Sequence, residues 1–214
     1  MTPLVHTRLL VYLSVTFVFA FTIGVLSHEA GHFVVAKFFG YEPTIHYQFT
    51  DFHDEILASD TSVEGQALLN HRRIWMLAGG PLETMIVSSV TLLLLFLVRK
   101  PDRRQISPTF FEWVLITVSL FWMRQPVNFT VWLLKGALFN RYSFQGDEVK
   151  IASMLGLPIW FLLFITATVA LIVLYGIVQC IPKSLLPTVI ISAFIGGILE
   201  YLCWSLWLGP ILLG

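Results

Sequence analysis

From Leu9 to Leu26 the chain carries no charged residue, and beyond a short polar interval the apolar run resumes from Phe33 to Phe39 with only Lys37 inside it. A stretch like that belongs in lipid as a helix. A crossing takes about 20 apolar residues, and backbone polar groups in hydrocarbon must be satisfied within the segment. The same yardstick places crossings near 8–38, 74–98, 109–139, 158–181 and 185–208. The third is too long for one ordinary helix, and Pro126 is expected to divide it, with Arg124, Gln125 and Asn128 facing protein or water rather than lipid. The expected fold is therefore all-α: a multi-pass transmembrane helix bundle of about 5–6 spans in the lipid bilayer, forming one integral-membrane domain over residues 1–214.

Composition agrees. Of 214 residues 57% are hydrophobic and only 12% charged, about half the charge that soluble domains use to cover a water-facing surface. Thirteen basic residues balance thirteen acidic ones without a long basic run, which excludes nucleic acid as a partner. Cys180 and Cys203 both sit in apolar runs and read as buried small hydrophobes rather than a disulfide. The N-terminal run lacks a persuasive small-residue cleavage site and is expected to remain as the first span.

The longest polar stretch, 40–73, follows the first span. Thr44 to Phe49 has the β-branched and aromatic content of a strand, so a short β-like loop or hairpin is expected there, followed by acidic residues from Asp51 to Glu64. His46 and His53 in this loop are expected to be solvated. The second span is expected to open at Gly79-Gly80-Pro81-Leu82-Glu83-Thr84, with Pro81 at a first helical position and Glu83 beside the helix dipole. Gly196 and Gly197 should allow close helix packing, with the intramembrane carboxylate of Glu200 one turn on. Arg8, Arg99, Lys100, Arg103, Arg104 and Lys183 would lie on one face, with Lys37, Arg72, Arg73, Lys135, Arg141 and Lys150 on the other. That even division gives the positive-inside rule no preference, although the Arg99 to Arg104 cluster favours a cytoplasmic assignment for its own loop.

At the end of the first span stands His28-Glu29-Ala30-Gly31-His32, an HExxH pattern. Residues four apart on an α-helix lie roughly 40° apart around the axis, so both imidazoles can reach one Zn²⁺, and the intervening glutamate then sits beside the metal as a base for bound water. A Glu at membrane depth costs at least about 2.5 kcal/mol, which makes a purely structural role expensive. A catalytic zinc usually takes three protein ligands. Asp147, in the loop that must return to the face carrying the histidines, is the expected third; Glu148, Glu83 and Glu200 are alternatives. Asp147 has a second reading as the N-cap of a short helix running to Leu155, with Gly156 and Pro158 as stop signals.

These residues resemble the site-2 protease family of intramembrane zinc metalloproteases. In that family an HExxH on one transmembrane helix is followed by a Gly-Pro motif on the next, and an aspartate near the start of a later helix completes the zinc site. His28 to His32 looks like the first motif and Gly80-Pro81 with Thr84 like the second, Thr84 standing where the family often has Asn. In the third, Asn140 precedes Asp147, and Gly146 comes before the aspartate instead of after it. The resemblance implies a minimal catalytic core without a PDZ domain, placed in a prokaryotic cell (inner) membrane, with the Ser59 side cytoplasmic. It implies Zn²⁺ as cofactor, Glu29 as catalytic base and a transmembrane protein as substrate, cut in or beside its membrane segment. Thr44 to Phe49 would hold the unwound substrate by edge pairing. The alternative class is a non-hydrolytic membrane scaffold that keeps the fold and binds another membrane protein. A zinc transporter is disfavoured because no internal repeat or further paired ligands occur.

Overall fold

In the computed structural model, residues 5–53, 63–99, 106–139, 142 and 146–214 are described. Helix α1 (Thr7–Phe38) is followed by strands β1 (Thr44–Ile45) and β2 (Thr50–Asp51), then α2 (Val63–Val98) and α3 (Phe110–Ser119). A 3₁₀ turn (Leu120–Met123) leads into α4 (Arg124–Phe139), α5 (Asp147–Met154), α6 (Ile159–Val178) and α7 (Leu186–Glu200). The chain closes with a π-helical segment (Tyr201–Leu208) and α8 (Gly209–Leu213). The protein is an all-α membrane bundle, and among the described residues a two-stranded antiparallel ribbon pairs Thr44 with Asp51 and Ile45 with Thr50. The hairpin expected from Thr44 onward is thus present, with its first strand confined to Thr44–Ile45 and residues 46–49 forming the turn.

Among the described residues, four helices are long and apolar enough to cross a membrane: 7–38, 64–98, 159–178 and 186–213. Their outer faces are apolar too, with Phe194 72% and Ile172 69% exposed, a surface that suits lipid and not water. The third expected crossing is a broken one. The interruption falls at Leu120–Met123 rather than at Pro126, which sits in the first turn of α4. Proline is tolerated there because the first N–H groups of a helix have no intrahelical acceptor.

Helix α2 corrects a second expectation. It begins at Val63 and runs unbroken through Gly79 to Thr84, so Pro81 is interior and Glu83 is not in a first turn. At about 1.5 Å per residue its 36 residues reach about 54 Å, well beyond a hydrocarbon core of about 30 Å. The polar first turns from Glu64 to Arg73 extend past the apolar part, and their polarity had disguised them as loop. Glu83 instead accepts a hydrogen bond from the Ser27 hydroxyl of α1.

Helix α1 lies between α2 and α7. Its crossing with α2 is nearly backbone to backbone: a Cβ on Gly31 would meet the Gly79 carbonyl oxygen at 2.5 Å, and one on Gly79 would meet that of Gly31 at 2.5 Å. The crossing with α7 uses Gly196, where a Cβ would stand 2.5 Å from that of Phe17. Small residues let membrane helices approach this closely, and packing must replace the hydrophobic drive that lipid does not provide.

The end of the bundle remote from the histidines holds the main core, including Leu13, Phe17, Leu95, Ile116, Ile177 and Val189. Arg99 is buried in it. Its guanidinium donates to Glu112 Oε2 at 3.1 Å, to the Ile106 carbonyl at 2.6 Å and to the Cys180 carbonyl. It is therefore a pin joining α2, α3 and the end of α6, not a loop charge; Lys100, Arg103 and Arg104 lie outside the described residues. Glu112 also forms a capping box with Thr109 that starts α3. Cys180 is buried as expected, whereas Cys203 is exposed.

Candidate metal centre

Helix α1 carries His28, Glu29 and His32 into the protein, with His28 1%, Glu29 3% and His32 4% exposed. One ligand atom from each of the three lies within 4.8 Å of the others, so the group could hold a metal ion. Asp147, the first residue of α5, brings a carboxylate to the same point from across the bundle. His28 Nε2 and His32 Nε2 are 3.2 Å apart, and Asp147 Oδ2 lies 3.0 Å from the first and 3.4 Å from the second. Ligand atoms about 2.0–2.1 Å from a tetrahedral zinc are separated by about 3.3–3.4 Å. Two imidazole nitrogens and one carboxylate oxygen fit that ion in both spacing and donor type.

The hydrogen bonds behind the rings leave the right nitrogens free. His32 Nδ1 is 2.7 Å from the Met76 carbonyl, which can only accept, so this nitrogen carries the proton. The Gly80 N–H also points at His32 Nδ1 from 3.3 Å; the shorter contact with a pure acceptor decides the tautomer. The Thr84 hydroxyl donates to the Gly80 carbonyl at 3.1 Å and therefore accepts from His28 Nδ1 at 3.0 Å. Both Nε2 lone pairs are thereby directed at the common point, the arrangement by which neighbouring groups orient metal-binding imidazoles.

Gly80 makes room for it. A Cβ at that position would lie 2.4 Å from His32 Nε2 and 2.6 Å from His28 Nε2. The Gly-Pro segment thus contributes an absent side chain at Gly80 and a hydroxyl at Thr84, while Pro81 removes an N–H from the interior of α2.

Asp147 does not cap α5. Gly146 occupies the N-cap with φ 110 and no side-chain cap hydrogen bond is made, so the carboxylate is committed to the histidines. Burial alone would raise its pKa; the adjacent imidazoles of His28 and His32 outweigh that and hold the carboxyl well below the usual range. The other carboxylates considered from sequence are elsewhere. Glu148 is buried with Oε1 unpartnered, Glu83 is bonded to Ser27, and Glu200 Oε1 is likewise buried without a partner. Burial pushes the Glu148 carboxyl above the usual range. His46 stacks on Phe49, with ring centroids 4.3 Å apart, and His53 Nε2 lies 2.9 Å from the Thr44 hydroxyl, both away from the cluster. Asn140 lies outside the described residues.

One polar partner of the centre was not expected from sequence. Thr50 of β2 places its hydroxyl 3.0 Å from Glu29 Oε2 and 3.1 Å from the Glu29 carbonyl oxygen. Two cavities adjoin the centre. An apolar cleft of about 580 Å³ between α1, α4 and α7 has Phe21, Phe121 and Phe194 on its walls and reaches Thr84 and Arg124. A more polar one of about 240 Å³ is lined by Asp147, Glu148 and Lys135, and Arg124 and Asn128 border both. No family model, curated protein or solved structure matches this chain.

Proposed function

We propose that the protein is an intramembrane zinc metalloprotease, hydrolysing a peptide bond in or beside the transmembrane segment of another membrane protein. The observation that carries this reading is the triangle of His28 Nε2, His32 Nε2 and Asp147 Oδ2, closed at 3.0–3.4 Å with a glutamate carboxylate beside it. The three side chains would hold Zn²⁺. When bound, zinc supplies a Lewis acid and lowers the pKa of a bound water to about 7.

The chain's own residues account for the rest. Glu29 takes the proton of the attacking water and returns it to the leaving amine as the C–N bond breaks. Thr84 and the Met76 carbonyl hold the imidazole tautomers throughout. The apolar cleft offers a membrane segment a route toward the centre, and Arg124 and Asn128 at its inner edge can meet backbone groups released when that segment unwinds. A purely structural metal site would need no buried carboxylate poised next to its ligands, which favours hydrolysis over a scaffold role.

The test is paired. Purified protein is assayed for zinc content and for cleavage of a single-pass test substrate, as wild type and as Glu29→Gln. Retained zinc with cleavage lost in the variant supports the reading. Zinc without cleavage in either form, across many substrates, supports the scaffold.

A further inference from the structure

The ribbon after α1 reaches the catalytic end of the bundle, and its contacts there are asymmetric. On one side Thr50 meets Glu29 through both the carboxylate oxygen Oε2 and the main-chain carbonyl. On the other, the turn joining the strands is fastened to the C-terminal segment. The Tyr47 N–H donates to the Leu213 carbonyl at 3.2 Å, and the Trp204 indole N–H donates to the Tyr47 carbonyl at 3.2 Å. Gly209 lies so close beneath Tyr47 that an added Cβ would be 2.9 Å from the tyrosine's own.

We infer that Thr50 is a positioning residue for Glu29, held in place by this clasp between Tyr47 and the C-terminal helix. The inference rests on the reading of Glu29 as the base. A glutamate side chain has three rotatable bonds, and a base acts only when its oxygen faces the water it deprotonates. A hydroxyl shared between Oε2 and the residue's own carbonyl ties the carboxylate to its backbone and leaves Oε1 for water. Strands of two residues cannot fix Thr50 by themselves, since even a full isolated hairpin is marginal. The anchorage comes from the turn, closed by His46 N–H donating to the Phe49 carbonyl at 2.8 Å, and from the C-terminal segment that grips it. The π-helical geometry of Tyr201–Leu208 carries Trp204 to the ribbon, and π-helical turns are frequent at functional sites.

The experiment compares wild type, Thr50→Val, Thr50→Ser, Trp204→Phe and the Thr50→Val/Trp204→Phe pair in the zinc-loaded full chain. A hydrogen bond to a charged group has an effect equivalent to about 10- to 100-fold. Thr50→Val should lower kcat by about that factor with KM within about twofold and zinc content unchanged, and Thr50→Ser should restore most of it. Trp204→Phe should lower kcat alone but add little to Thr50→Val, because it acts through the same hydroxyl. Independently of activity, the infrared band assigned to Glu29 by subtraction of the Glu29→Gln spectrum should shift in Thr50→Val and return in Thr50→Ser. Wild-type kcat and an unshifted band in Thr50→Val would overturn the inference, as would equal losses in Val and Ser. Fully multiplicative losses in the pair would overturn the clasp. If wild type cleaves nothing, the protease reading fails and the infrared comparison alone decides Thr50.

Discussion

Both imidazoles that meet at the centre have their far nitrogen committed. His32 is fixed through Met76, His28 through Thr84, and Gly80 leaves out the methyl that would collide with both rings. His28→Ala and His32→Ala should therefore each remove most of the bound zinc, measured by metal analysis of purified protein, because two remaining ligands hold the ion poorly. Gly80→Ala should do nearly the same without touching a ligand, since the imidazoles must move to admit the Cβ; undiminished zinc in that variant would contradict the crowding. At Asp147 the informative substitution is to serine. An N-cap role would let Asp147→Ser restore what Asp147→Ala loses, a stability effect of about 0.5–2 kcal/mol. With Gly146 as N-cap and the carboxylate on the histidines, Asp147→Ser is expected to lose zinc as Asp147→Ala does. The HExxH histidines were legible in sequence because residues four apart share a helix face whatever the tertiary fold. Thr50 was not, because its meeting with Glu29 depends on a ribbon folding back over 21 positions, and no local pattern encodes that return.

Among the elements, the buried Arg99 is the clearest case of one residue holding several. It bonds Glu112, the Ile106 carbonyl and the Cys180 carbonyl at the end remote from His28 and His32. Removing one partner of a buried ion pair leaves the other charge uncompensated, so Arg99→Met should cost about 3–5 kcal/mol, read as a lowered unfolding midpoint in detergent with zinc still bound below the transition. Arg99 had looked like one member of a basic loop cluster; sequence alone does not tell a solvated arginine from one that α3 and α6 enclose. The extent of α2 was hidden for a related reason: its first turns leave the apolar zone, and polar helix there carries no apolar run to mark it. Pro81 then looked like a helix start, although a proline inside a membrane helix is tolerated where neighbours satisfy the freed carbonyl. The start of α3 did carry a local signal, the Thr109-to-Glu112 capping box. The 3₁₀ break at Leu120–Met123 carried none, being as apolar as the helix before it.

At the scale of the whole molecule, the chain's ends of helix sort into two sets. The starts of α1 and α7 meet where the His6 N–H donates to Thr188, near Arg99. The hairpin, Asp147 and α8 gather at the other end, with Glu29. This alternation fits a chain that passes back and forth through a bilayer, and the expectation that His28, His32 and the Asp147 loop share one side follows from it. Single cysteines at Ala67 and Ile106, introduced with the exposed Cys203 replaced by Ser, should label from opposite faces of sealed vesicles, because α2 lies between them; labelling of both from one face would break the topology. The central claim is that a zinc held by His28, His32 and Asp147 serves hydrolysis through Glu29. Its most direct measurement is cleavage of a single-pass test substrate by zinc-loaded wild type beside zinc-loaded Glu29→Gln, at matched metal content and matched folding. The account predicts about one zinc per chain in both, with cleavage in wild type and none in the variant; equal cleavage by the two would contradict it.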